Sequence, residues 1–233
     1  MIPKVIHYCW FGRGEKPKLA KKCIESWKKY CPDYQIIEWN EDNFDVNKCE
    51  YTKYMYDNKK YAFLSDFVRL KVIYENGGVY FDTDVEVVKP IDELLKNEAF
   101  IGFENDEFVA SGLGFGAEEG NNAVKLMLEE YNYFSDGFDA KKGPIGCPTL
   151  NTIGLSKCGL VKNGDFQKLQ GISVYPKGYF NPYDSVLNKL DITENTYTIH
   201  WYSGSWISKR QKIRTFLLRP IHRVFGKNFF NKN

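Results

Sequence analysis

None of the six cysteines, at positions 9, 23, 31, 49, 147 and 158, forms a Cys-x-x-Cys pair or a zinc-ligand spacing. That excludes a zinc-stapled fold and predicts six reduced thiols in a cytosolic protein. No apolar run approaches the ~20 residues needed to cross a bilayer, and the N-terminus lacks a basic-then-apolar leader. Internal repeats and low-complexity linkers are missing too, so no domain boundary is visible inside the body of the chain. At 233 residues one domain buries nearly three quarters, roughly, of its unfolded surface and needs no disulfide or metal staple to fold. Nothing in the chain provides a nucleic-acid recognition module.

The formal net charge of +2 conceals an asymmetry. From position 207 to 233 there are eight Lys or Arg and no acid, which leaves 24 basic against 30 acidic residues in the remainder. Ile213, Phe216, Leu217, Leu218, Ile221, Val224 and Phe225 interleave with those charges. This pattern suits a segment lying on an anionic membrane surface; a C-terminal helix packed on the body with a solvated basic face accounts for it as well. Aromatic residues make up 16% of the chain, which fits a carbohydrate-handling cleft, although large cores use them too.

The most informative stretch runs from Tyr61 to Val88. Val79, Tyr80 and Phe81 have strand propensity, so Asp82 and Asp84 are expected on extended backbone, two residues apart and facing the same way. Paired carboxylates with nothing basic beside them in sequence suit Mg2+ or Mn2+, whereas an Asp-x-Asp taken alone fits a solvated strand end. Before it, residues 62–75 carry apolar positions nearly all round and predict a buried helix. Asn76-Gly77-Gly78 stops that helix and reverses the chain. Asp66 and Arg69, three apart on one helix face, read either as a surface ion pair or as a charged face bordering a cleft; the scarcity of polar positions on the helix favours the cleft.

Elsewhere, Val5, Ile6, Tyr8 and Trp10 predict a first strand halted by Gly12 and Gly14, and a strand entering a glycine loop commonly floors a nucleotide. His7 reads as a structural residue of that strand. Leu19, Cys23, Ile24 and Trp27 follow Pro17 at helical spacing, and Tyr34 to Trp39 predict a second strand. A strand, helix, strand opening argues for a parallel sheet. Further strands are expected at 99–104, 172–175 and 196–199, with a helix at 121–133. The last strand leads into His200-Trp201-Tyr202-Ser203-Gly204-Ser205-Trp206, where glycine and serine beside two tryptophans suit a closing loop. A histidine at a strand end is usually structural.

The run Ser65-Asp66-x-x-Arg69 followed by Gly77-Gly78-Val79-Tyr80-x-Asp82-x-Asp84 resembles the glycosyltransferases with a sugar-binding region containing DXD. That family includes yeast outer-chain mannosyltransferases, bacterial capsular and surface-polysaccharide transferases and, more distantly, the glucosylating domain of the large clostridial toxins. The opening IPKVIHYCWFG, residues 2–12, is similar to the family's first strand, so the resemblance spans residues 2–88 and a C-terminal patch. It implies a single-domain α/β GT-A fold over residues 1–206, Rossmann-like, with a mixed, mostly parallel sheet flanked by helices, and a separate basic segment at 207–233.

The resemblance also implies a retaining transfer of a hexose from a nucleotide-sugar. It makes Asp82 and Asp84 ligands of Mn2+ or Mg2+, with His200 as the third, and puts Ser205 and Trp206 on a lid over the donor. Trp10 would stack on the base, favouring UDP over GDP. Tyr61, Ser65, Asp66, Arg69 and Asp82 would contact substrate, the last three as catalytic residues. Gly143-Pro144-x-x-Cys147-Pro148-Thr149 is similar to a family segment near the sugar. Ala110-Ser111-Gly112 departs from the asparagine that many relatives carry there, and no donor contact is transferred to it. The acceptor implied is an oligosaccharide or lipid-linked sugar of bacterial surface or capsular polysaccharide, handled by an enzyme held peripherally at the inner face of the plasma membrane. A metal-dependent nucleotide-sugar hydrolase and a non-catalytic, Ca2+-dependent carbohydrate-binding protein remain the alternative readings.

Overall fold

The computed structural model of this chain describes residues 1–135 and 138–204. Its opening is the expected strand, helix, strand unit: β1 (Val5–Cys9), α1 (Lys18–Tyr30) and β2 (Gln35–Trp39), with β1 and β2 parallel and Val5 opposite Gln35. Pro17 precedes α1, where its fixed φ starts a helix at no hydrogen-bonding cost. Ala20, Cys23 and Trp27 form the buried stripe of α1, and the Trp27 indole N–H is satisfied by the Val85 carbonyl at 2.8 Å.

After β2 come α2 (Glu50–Asp57) and α3 (Tyr61–Asn76). Leu64, Val68, Leu70, Val72 and Ile73 of α3 are 1% exposed or less, so the all-round apolar pattern is that of a central helix. It ends at Gly77 and Gly78, both at positive φ. A side chain at Gly78 would stand 2.8 Å from the Val5 carbonyl and 2.9 Å from the His7 ring, so the reversal is open to glycine alone. The chain then forms β3 (Gly78–Tyr80), β4 (Val85–Val87), β5 (Ala99–Gly102), β6 (Phe115–Ala117), α4 (Asn122–Glu129), α5 (Cys147–Ser156), β7 (Gln167–Leu169), β8 (Ile172–Tyr175), β9 (Tyr183–Asp184), β10 (Lys189–Leu190) and β11 (Thr198–His200).

Seven strands form one sheet in the order β2-β1-β3-β6-β5-β8-β7. β1, β2, β3, β5 and β8 run one way and β6 and β7 the other, so the sheet is mixed and mostly parallel. Helices α2 to α5 cover one face, with Met55, Leu64, Val68, Met127 and Leu155 in its core. The other face packs Cys23 and Trp27 of α1 against Ile6, Val79, Phe81, Phe100 and Phe180. β4 and β11 pair antiparallel outside the main sheet, His200 opposite Val85.

This topology positions the site. From β1 the chain moves outward to β2, then returns through α2 and α3 to β3 on the other side of β1. Strand order therefore reverses between β1 and β3, and the crevice beyond the carboxyl ends of strands at such a point is where open α/β sheets hold ligands. Trp10, Asn40, Asp82 and Glu104 follow β1, β2, β3 and β5 at that one edge.

Among the described residues no helix is long and apolar enough to cross a membrane, and all six cysteines are free. His7, 1% exposed, accepts the Trp39 indole N–H at Nδ1 (2.9 Å) and meets the Gly77 carbonyl at Nε2 (3.1 Å), which is the structural role its strand position predicted. The basic segment 207–233 lies outside the described residues.

Candidate active site at the carboxyl edge of the sheet

One expectation needs correction here. Strand β3 stops at Tyr80, and Asp82-Thr83-Asp84 forms a turn closed by the Val85 N–H on the Asp82 carbonyl at 2.9 Å. The two carboxylates converge through that turn, not through the pleat of a strand. β6, one neighbour of β3, pairs with it only from Gly78 to Tyr80, and the Phe81 N–H still donates to the His7 carbonyl of β1 at 3.1 Å before the turn begins.

His200, at the end of β11, completes the group. Ligand atoms of Asp82, Asp84 and His200 all lie within 4.8 Å of one another. His200 Nε2 is 3.1 Å from Asp84 Oδ1. The Asp84 carboxylate also accepts the Ser203 backbone N–H at Oδ2 (2.7 Å), and its carbonyl accepts the Trp201 N–H (3.0 Å), so the segment after His200 is tied to Asp84 twice. Burial alone would raise the Asp84 pKa, but His200 and the Ser203 N–H overcome it and hold the carboxyl below the usual carboxylate range. On His200 burial works the other way, lowering the pKa, and the Asp84 charge outweighs it, so the imidazole titrates above its ordinary value.

Arg69 links this group to α3. Its Nη2 donates to Asp82 Oδ1 at 2.7 Å and lies 3.1 Å from Asp66 Oδ1, and its Nη1 donates to the Cys147 thiol at 3.4 Å. The guanidinium packs 5.0 Å from the centre of the Tyr80 ring, whose hydroxyl donates to Asp82 Oδ1 at 3.0 Å. Arg69 and Asp66 are buried, at 3% and 9% exposure, so the surface ion pair is excluded. Burial pushes the Asp66 carboxyl up to about 6 against the pull of Arg69, and burial likewise raises Asp82, with Asp84 adding to it. Arg69 thus acts as a strut whose two Nη groups meet two aspartates and a thiol, while its buried Nε has no hydrogen-bond partner among the described residues.

Four contributors carried no sequence signal strong enough to assign them. Tyr80 looked like an ordinary strand residue. Gly112 makes room for the cluster, since a side chain there would stand 2.5 Å from Asp82 Oδ2 and 2.9 Å from Arg69 Nη1. Cys147 arrives at the N-terminus of α5 within the Gly143-Pro144-x-x-Cys147-Pro148-Thr149 segment, which the resemblance put near the sugar without giving the thiol a role. Asn151 of α5 accepts the Ser111 N–H at 2.9 Å and so fixes the Gly112 turn against α5.

The remaining assignments fall on two places. Trp10, Lys16, Glu38, Asn40 and Glu41 line an open cleft of about 230 Å³ beside β1 and β2. In it the Trp10 indole N–H donates to the Gly14 carbonyl at 2.6 Å, and Lys16 pairs with Glu38 at 2.6 Å. Tyr61, at the start of α3, lies under Gly12, whose missing side chain would meet that ring at 2.4 Å. Ser65 reaches the Cys9 thiol at the end of β1. Asp66, Arg69, Asp82, Asp84 and His200 therefore form one cluster, with Trp10, Tyr61 and Ser65 along its β1 flank. Ser205 and Trp206 lie outside the described residues.

The donor set fits a divalent cation. Two carboxylates and an imidazole are ligands that Mn2+ and Mg2+ sites use. Asp66, Asp82 and Asp84 outnumber the single buried guanidinium by two when His200 is neutral. His200 Nδ1 is also buried with no hydrogen-bond partner among the described residues.

The chain is similar to several known glycosyltransferases. Inositol phosphoceramide mannosyltransferase 1 of Schizosaccharomyces pombe is 30% identical over 128 residues, covering 47% of this chain and 39% of that protein. The initiation-specific alpha-1,6-mannosyltransferase of Candida albicans is 30% identical over 127 residues, covering 50% of this chain and 32% of that protein. The chain thus spans well under half the length of these relatives. Among solved structures, PaToxG glycosyltransferase superposes with a TM-score of 0.51 at 21% identity, over 67% of this chain and 69% of that one, and so shares its GT-A fold. Residues 17–101, which hold α1, α3 and the Asp82-Thr83-Asp84 turn, match the family model described as glycosyltransferase sugar-binding region containing DXD motif, and the chain carries that region of the DXD glycosyltransferases.

Proposed function

We propose that the protein is a divalent-metal-dependent, retaining glycosyltransferase that moves a hexose from a nucleotide-sugar to an oligosaccharide or lipid-linked acceptor in bacterial surface or capsular polysaccharide synthesis. The observation that carries this reading is the meeting of Asp82, Asp84 and His200 within 4.8 Å at the point where the strand order reverses. Asp82, Asp84 and His200 would hold Mn2+ or Mg2+, which when bound supplies positive charge to a departing diphosphate. Arg69 keeps Asp66 and Asp82 oriented, and Asp66 would accept from sugar hydroxyls. Every carboxylate of the cluster is paired with Arg69 or His200. That supports a front-face substitution in which the acceptor hydroxyl gives its proton to the leaving phosphate, rather than a covalent glycosyl-enzyme.

The base would sit in the Trp10 cleft, and the resemblance of residues 2–12 to the family's first strand supports UDP over GDP. The yeast relatives are named as mannosyltransferases, which supports a hexose and makes mannose the first sugar to test. The inositol phosphoceramide in one of those names supports a lipid-borne acceptor. The composition of residues 207–233 supports attachment to an anionic membrane surface from the cytoplasmic side.

Thermal unfolding with a panel of UDP- and GDP-sugars, with and without Mn2+, tests donor and metal together. A ligand at a hundred times its Kd adds about 2.7 kcal/mol, so one nucleotide class should raise the midpoint only when Mn2+ is present, and Asp84→Asn should abolish the rise. A panel that leaves the midpoint unmoved refutes the assignment. Full donor turnover with no added acceptor selects the hydrolase reading, and Ca2+-dependent sugar binding without turnover selects the binding protein.

A further inference from the structure

The same edge of the sheet holds one more acid. Glu104 stands two residues past the end of β5, the place Asp82 has relative to β3. Its backbone is fixed on both sides: its N–H donates to the Phe108 carbonyl at 2.8 Å, and its carbonyl accepts the Asn181 amide at 3.1 Å. Its carboxylate accepts the Tyr202 hydroxyl at 3.3 Å, and that hydroxyl also accepts from Asn181 at 2.6 Å.

These neighbours tie Glu104 to the cluster. The Tyr202 ring lies 4.2 Å from the His200 ring, centre to centre. Tyr202 has a φ of +49°, a left-handed conformation that a bulky residue adopts only when its surroundings impose it, and such positions gather at functional sites. Asn181 is 1% exposed, and its Oδ1 has no partner among the described residues.

Glu104 differs from the three aspartates in what it binds. Arg69 and His200 compensate Asp66, Asp82 and Asp84. Glu104 is half-buried, and among the described residues its side chain has one long hydrogen bond, from a phenol, and no cationic partner. A carboxylate has about four acceptor sites, so most of its capacity is open to a ligand at the sheet edge. Vicinal hydroxyls of a sugar ring supply donors of that kind without bringing a charge.

We infer that Glu104 is an acceptor-positioning residue, which takes hydrogen bonds from the hydroxyls of a hexopyranoside acceptor and is itself held by Tyr202 and Asn181. This rests on the transferase reading. In the step it serves, the bond from the anomeric carbon to the phosphate oxygen breaks and the bond to the acceptor oxygen forms. The acceptor's proton passes to the departing phosphate, and Glu104 orients the acceptor without keeping the proton.

The test measures nucleotide release from UDP-glucose and GDP-mannose against a titration of methyl α-D-mannopyranoside, in wild type and in Glu104→Gln. Glutamine keeps an oxygen for the Tyr202 hydroxyl and loses the anion. The mannoside is expected to stimulate release by the wild type, with its KM raised at least tenfold in Glu104→Gln. Donor affinity from Mn2+-dependent thermal shifts should stay within twofold, and Glu104→Asp should recover part of the acceptor affinity. An unchanged mannoside KM overturns the inference. So does wild-type release indifferent to the mannoside, or donor and mannoside affinity falling together with the melting midpoint. Failure of the transferase reading looks different: the wild type then binds neither donor.

Discussion

Arg69 of α3 and Asp82 of the turn after β3 are joined by a 2.7 Å ion pair, with the Arg69 side chain only 4% exposed. The same nitrogen lies 3.1 Å from Asp66. A helix and a sheet edge are thereby locked by one guanidinium between two carboxylates. Replacing it leaves two aspartates facing each other with no cation between them, and breaking a buried pair in this way costs about 3 kcal/mol. Arg69→Met is expected to unfold at correspondingly lower urea concentration and to lose donor turnover. Arg69→Lys should recover part of the stability, because one ammonium cannot serve Asp66, Asp82 and Cys147 at once. Urea titrations of the three proteins check this.

Gly112 offers a separate handle on the cation site. Its φ is not in the left-handed region, so alanine meets no backbone strain there, only Asp82 Oδ2 at 2.5 Å and Arg69 at 2.9 Å. Gly112→Ala is expected to weaken Mn2+ binding at least tenfold by turning the Asp82 carboxylate, while unfolding within about 1–3 kcal/mol of the wild type, the usual cost of overpacking. Calorimetric titration with Mn2+ alone reads the first effect and urea unfolding the second.

Asp66 sets a pH dependence of stability. Burial raises its folded-state value to about 6, from 3.8. A carboxyl raised in this way binds its proton more tightly in the folded state, so its stabilising contribution is whole below about pH 4 and is lost as pH rises through 6. The shift corresponds to at most about 3 kcal/mol. Asp66→Asn, which cannot ionise, should therefore gain stability relative to wild type between pH 4 and 7, measured without metal. A difference that stays flat across that range would show that Asp66 does not titrate as its burial dictates.

His200 gives metal affinity its own pH dependence. Asp84 raises the imidazole pKa, and a protonated ring cannot ligate, so protons compete with the cation up to a higher pH than an isolated histidine would allow. Mn2+ affinity should therefore keep climbing with pH above the range in which an isolated histidine would already have levelled off. His200→Gln should bind more weakly and with a flatter profile. Equal slopes in the two proteins would remove His200 from the ligand set.

The residues that come together in the candidate site were partly legible in the sequence. Ser65 and the ligand role of His200 came from the resemblance to the DXD glycosyltransferases, whereas the Asp66/Arg69 pair, the glycine pair and Asp82-x-Asp84 are local patterns that suggested a cleft and a cation from side-chain chemistry and spacing. The β1, α1, β2 opening and the strand at 172–175 were legible for the same reason: their apolar periodicity is written over consecutive residues. Tyr80, Gly112, Asn151 and Cys147 were not, because their roles come from contacts across long stretches of chain. Arg69 and Cys147, for instance, are 78 positions apart.

The chain's order of residues determined which groups were available: a charged pair on an otherwise apolar helix, two aspartates one residue apart, a histidine at the end of a late strand. Packing decided what those groups do. The apolar helix around Asp66 and Arg69 already pointed away from a surface pair; burial then made them a strut between helix and sheet edge, because a charge taken out of water must find its counter-charge nearby. β3 ends at Tyr80, so the aspartates meet through a turn instead of a pleat. Neither outcome is encoded at any one position, since both depend on what the rest of the fold leaves as neighbours.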